Sequence, residues 1–122
     1  MTLRHISAAL LCAAPLAAPG AVFAEGWTTE DLGDVAAEAE CITRAADMFE
    51  IFGDRHGYHS VATGGWTVAG YDLMEDDYDG LVTCAYGPQD GYRATLVVYS
   101  VGDADDARRR EIASLLKGIW DE

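Results

Sequence analysis

Apolar and polar positions fall into blocks of different period along the chain. Over residues 35–52, Ile42, Ala45, Ala46, Phe49 and Phe52 recur at three- and four-residue spacing, and Cys41, Met48 and Ile51 widen the stripe. Glu38, Glu40, Arg44, Asp47 and Glu50 fill the other positions. This pattern predicts an amphipathic helix with one buried face, capped by Asp34 and stopped by Gly53. The period then shortens to two. Residues 66–74 (WTVAGYDLM), 81–86 (LVTCAY) and 92–101 (YRATLVVYSV) read as strands, rich in β-branched and aromatic residues. EDDYDG at 75–80 and GPQDG at 87–91 supply the turns between them. Residues 53–65 carry several glycines and read as a loop, with room for a short fourth strand at 58–62. After Gly102 the helical period returns in Ala107, Ile112, Leu115, Leu116, Ile119 and Trp120. Asp103 is placed to cap this second helix, with Asp106 near its positive end and Arg108, Arg109, Arg110, Glu111 and Lys117 facing water. Residues 25–33 (EGWTTEDLG) read as an irregular lead.

The predicted order is therefore α-β-β-β-α. Short connections favour an antiparallel meander. The expected fold class is α+β: a small domain with a three-stranded antiparallel sheet, four-stranded if 58–62 joins it, and helices packed on one face.

The first 24 residues, MTLRHISAALLCAAPLAAPGAVFA, follow a different logic. A short basic start (Arg4, His5), an apolar run and small residues at Val22 and Ala24 form the anatomy of a secretory signal peptide. Pro15, Pro19 and Gly20 interrupt the run, which argues against a membrane anchor. Leu11 is too bulky for Cys12 to serve as a lipoprotein attachment site. The expected organisation is a leader over 1–24 and one domain over 25–122, periplasmic or secreted, with no membrane insertion after cleavage. Cys41 and Cys84 then remain as an even pair in an oxidising compartment, where a disulfide is the default. It would close a loop of about 44 residues, for which chain entropy sets a ceiling of roughly 4 kcal/mol. No Cys-x-x-Cys points to redox catalysis, and two thiols without a well-placed His fall short of a zinc shell. Cys84 shares a strand face with Val82 and Tyr86. A bond to Cys41 would turn that face to the first helix and leave Leu81, Thr83 and Ala85 pointing away.

Charge narrows the function classes. The chain carries 21 acidic and 8 basic residues, a net −13, and losing the leader removes Arg4 and leaves −14. Such a surface excludes simple nucleic-acid binding, which needs a basic face. It suits a basic protein partner. The densest cluster is Glu75-Asp76-Asp77-Tyr78-Asp79-Gly80. Glu75, Asp77 and Asp79 occupy alternate positions before a glycine, as in a calcium loop. Position one is Glu rather than Asp, however, and Tyr86 stands where a bidentate acid belongs. Asp and Gly also simply favour turns. Tyr78 reads as an exposed ring among carboxylates, making Asp76, Asp77, Tyr78 and Asp79 the candidate partner contacts.

His56 and His59, with Asp54 nearby, have ligand-like spacing, but Gly53 and Gly57 argue against a helix that would preset it. Either His could act as a base, yet Ser60 lacks a nucleophile elbow. Gly64-Gly65 lacks the Lys and helix of a phosphate loop. Trp27, Trp66, Tyr71, Tyr86 and Tyr92 add aromatics that either fill a small core or anchor an interface. The expected function is that of an acidic exported protein, not an enzyme and without a cofactor. It would bind another macromolecule as an inhibitor, immunity-type or accessory protein. The alternatives are a divalent-cation module built on the acidic turn at 72–79, and a small hydrolase using His56 or His59. Oligomeric state is not legible.

Overall fold

The computed structural model describes residues 26–57, 60–75, 77–100 and 105–122. The leader, His59, Asp76 and Asp103 lie outside the described residues. Five strands and two helices follow in the order β1 (Gly26–Val35), α1 (Glu38–His56), β2 (Ser60–Thr63), β3 (Thr67–Tyr71), β4 (Tyr78–Tyr86), β5 (Tyr92–Ser100) and α2 (Asp106–Trp120). They form one fully antiparallel sheet with the strand order β1-β5-β4-β3-β2. The class is α+β, as expected, but three or four strands undercounts the sheet. The missed strand is β1, which pairs along the whole of β5. Its register shifts between Asp31 and Gly33, so strict alternation is broken where it would have been most visible.

β1 also displaces the start of the first helix. Val35 closes the strand, Asp34 pairs with Arg93, and α1 begins at Glu38 behind Ala37, which gives no side-chain cap. At the other end the helix runs through Gly53 to His56. It stops at Gly57, whose φ of 105° suits a residue without Cβ. In α2 the cap is Asp105 rather than Asp103, accepting the Ala107 N–H at 2.9 Å.

Alternation in β4 and β5 defines two faces. Val82, Cys84, Ala94, Leu96 and Val98 point inward, where α1 and α2 bury them with Met48, Phe49, Phe52, Ile112, Leu116 and Trp120. Cys41 and Cys84 are bonded and buried. The bond joins the first turn of α1 to the far end of β4. The ring of Phe49 sits against Gly70 and Gly80, which are partners across β3 and β4. A Cβ at Gly80 would lie 2.8 Å from that ring, and one at Gly70 would also overlap it.

Arg109 corrects another expectation. It lies one turn before Ile112 on the buried stripe and is only 7% exposed. Its guanidinium lies over the Gly26 backbone, donating to Ser100 Oγ at 2.6 Å and to Asp106 at 2.8 Å. Its aliphatic stem packs while the head finds oxygen partners. Neither described helix covers the opposite face of the sheet, which presents Trp27, Leu81, Ala85 and Tyr71. Trp27 and Tyr99, partners across β1 and β5, have ring centroids 4.5 Å apart.

At the lower end of that face Arg93 bridges Asp31 and Asp34. The Gly33 N–H donates to Asp31, and with Arg93 it holds that carboxyl below its ordinary range. A lowered folded-state value means that Asp31 stabilises fully above its unfolded pKa of about 4, and that the contribution is lost as pH falls through the folded value. Urea titrations should therefore find the stability gap between the wild type and Asp31→Asn widest near neutrality and closing below about pH 4. A gap that widens on acidification contradicts this assignment.

Candidate functional site

The acidic turn was the leading candidate, and its residues do not converge. Glu75 turns to Arg108 at 3.0 Å. Asp79 begins the outward face of β4, and its Oδ1 accepts the Asp72 N–H at 3.1 Å, closing the turn on itself. Asp77 is exposed. Among the described residues no three His, Cys, Asp or Glu side chains gather as a metal shell. Tyr78 overturns the expected anchor. It is 3% exposed, the first residue of β4 on the inward face, and its hydroxyl accepts the Asp105 N–H at 3.2 Å. It ties the turn to the start of α2 and offers no ring to a partner.

His56 is exposed in the last turn of α1, its ring tilted against that of Phe52 with centroids 4.6 Å apart. Gly53 does not stop the helix, against expectation, whereas Gly57 ends it directly after His56. Asp54 and Ser60 are exposed, and no described residue is arranged with them as a nucleophile–base pair.

The opposite end of β4 carries a different constellation. Nine residues of strand separate the two ends, about 25–30 Å at the usual rise. Here the Gly87–Gly91 turn brings Tyr86 and Tyr92 together as cross-strand partners, edge to face at 5.7 Å. Trp66 reaches the same place from the β2–β3 turn, where its carbonyl accepts the Cys84 N–H at 2.8 Å. Glu38 joins from the first turn of α1. Together they line an open basin of about 560 Å³ over the half-cystine of residue 84. Trp66 is 57% exposed and Tyr86 68%. The Tyr86 hydroxyl donates to Asp90 at 3.0 Å, and Asp90 sits at φ 56°, a turn conformation Asp tolerates.

The Cys41–Cys84 bond fixes this basin. Cys41 is one helical turn beyond Glu38, and Cys84 is two residues before Tyr86 on the same strand face. The aromatics were visible in the sequence. Their meeting with Glu38 was not, because it depends on where α1 starts. The GPQDG turn was the available signal, since a hairpin there pairs Tyr86 with Tyr92.

Charge is distributed unevenly around these features. Every Lys and Arg among the described residues is engaged within the chain. Arg55 grips Glu122 in a bidentate pair, holding that carboxyl below its ordinary range. Arg93 holds Asp31 and Asp34, and Arg108 holds Glu75 and Glu111. Arg109 and Arg110 share Asp106, and Lys117 takes Asp121. Arg44 donates to the Trp120 carbonyl at 2.5 Å and lies 4.4 Å over its ring. No cation among the described residues pairs with Glu38. No described helix is long and apolar enough to cross a membrane. Comparison with known proteins finds no matching family model and no similar curated protein or solved structure.

Proposed function

We propose that this chain is a small exported binding protein, without catalytic activity of its own, whose partner is a basic protein. The commitment of every described cation to a carboxylate or carbonyl of the chain itself carries the reading. A net charge of −13, with no cation to spare among the described residues, leaves surplus carboxylates facing solvent. Like charge of this density costs folding stability by self-repulsion, and an oppositely charged partner relieves it. Exposed aromatics beside carboxylates add the anchors that binding surfaces use. The disulfide fits an oxidising compartment outside the cytoplasm. An inhibitor, immunity-type or accessory role fits this size and surface, and the Trp66–Tyr86 end of the sheet replaces the acidic turn as the favoured contact.

The test is capture from the exported fraction of the producing cell, with the oxidised protein immobilised. The reading expects a protein with a basic face, retained at low salt, eluted as salt approaches 1 M, where the screening length is about 3 Å, and rebinding when purified. A specific partner that is acidic, or that stays bound at 1 M salt without weakening, overturns it.

A further inference from the structure

The basin beside the disulfide has a chemistry that selects its occupant. Trp66, Tyr86 and Tyr92 line it, the two tyrosines edge to face, and Glu38 lines it with them. Aromatic faces attract cations through the ring quadrupole, Trp most strongly. An anion would be drawn to the start of α1 by the helix dipole, but Glu38 already fills that role and would repel it. A purely apolar occupant would have to desolvate Glu38 without compensating it. A flat cation satisfies both elements at once, stacking on the rings while donating to the carboxylate. The chain uses the same chemistry internally, where Arg44 lies 4.4 Å over the Trp120 ring while donating to its carbonyl.

We propose that the Trp66–Tyr86–Tyr92 basin receives an arginine side chain of the partner, its guanidinium stacked on the aromatic walls and hydrogen-bonded to Glu38. The inference rests on the basic-partner reading and names the point of contact. Arginine is favoured over lysine because its planar, weakly hydrated guanidinium stacks on rings and forks onto a carboxylate, whereas ammonium is a compact and strongly hydrated charge. The open basin accommodates a side chain presented from a neighbouring surface. The disulfide beneath it keeps Glu38 and Tyr86 in place before the partner arrives, so little ordering is needed on binding.

Small probes test the chemistry directly. The full chain, expressed with its leader and purified oxidised, is titrated with N-acetyl-arginine amide, its neutral isostere N-acetyl-citrulline amide, N-acetyl-lysine amide and tetramethylammonium. The indole N–H signals are followed by NMR. Trp66→Ala, at an exposed position, assigns the Trp66 signal and serves as the loss-of-site variant. The expected result is a saturable shift of the Trp66 signal with the arginine amide, with Trp27 and Trp120 unmoved. The citrulline and lysine amides should bind at least several-fold more weakly, and Glu38→Gln should reduce arginine binding by a similar factor. Equal response to citrulline overturns the proposal, as do shifts confined to Trp27 or Trp120. A response to tetramethylammonium without one to arginine also overturns it, because it would mark a site for a free quaternary amine. If the captured partner binds Trp66→Ala as it binds the wild type, the basin is not the contact, although the basic-partner reading stands.

Discussion

Phe49→Ala should destabilise the protein by about 3–5 kcal/mol, the usual cost of emptying a buried aromatic site. Phe49 is fully buried on the inner face of α1, and its ring rests on the bare backbone of Gly70 and Gly80. Few neighbours can collapse into the space, because the sheet beneath it has no side chains at those two positions. The same geometry predicts the reverse error. Gly80→Ala puts a methyl 2.8 Å from the ring and 3.0 Å from Leu73, an overpacking that costs about 1–3 kcal/mol. The two changes share one space, so together they should cost less than their sum, with a coupling of about 0.5–3 kcal/mol in a double-mutant cycle. Urea denaturation of the four species checks this. Strict additivity would mean that Phe49 and the glycine pair do not compete for the same volume.

Removing the cross-link should cost almost as much. Cys41→Ala with Cys84→Ala should lower stability by about 2–4 kcal/mol. For a domain of this size that corresponds to a melting temperature lower by roughly 10–25 °C. Both cysteines are buried, so lost packing adds to the lost constraint on the unfolded chain. The effect should reach the basin too, because the bond connects the turn carrying Glu38 to the strand carrying Tyr86. Below its lowered melting point, the double variant should still fold but show weaker arginine binding. A melting temperature within error of the wild type would contradict the stapling role.

Periodicity carried the sequence reading where a segment had a single dominant environment. The α1 stripe through Phe49, the centre of β5 and the shared face of Val82 and Cys84 were legible, and so was the disulfide. The reading failed where polar residues concealed a strand. β1 contains Glu30, Asp31, Asp34 and two glycines within ten residues, with a bulge among them. As an edge strand it keeps many of these groups in water, so burial imposes little pattern on it. Tyr78 was misplaced for a related reason. Its carboxylate neighbours suggest a turn, yet it keeps step with Gly80, Val82 and Cys84, and that two-residue phase places it inside. Arg109 likewise keeps helical step with Ile112 and Leu116, and only its charge suggested water. In each case phase was the better guide than residue type. The basin was out of reach because it joins three connections distant in sequence, and nothing local encodes their meeting.

Surplus negative charge is proposed to draw a basic partner to the Trp66–Tyr86 end of the sheet. That attraction is tested most directly by the association rate of the protein with its captured partner across a salt series. Between about 0.05 and 0.5 M salt the rate constant should fall at least tenfold, as expected for steering by opposite charge. Glu38→Gln with Asp90→Asn should slow association at low salt more than Asp77→Asn, which alters the far end of β4. A rate indifferent to salt, or one slowed only by Asp77→Asn, would contradict the account.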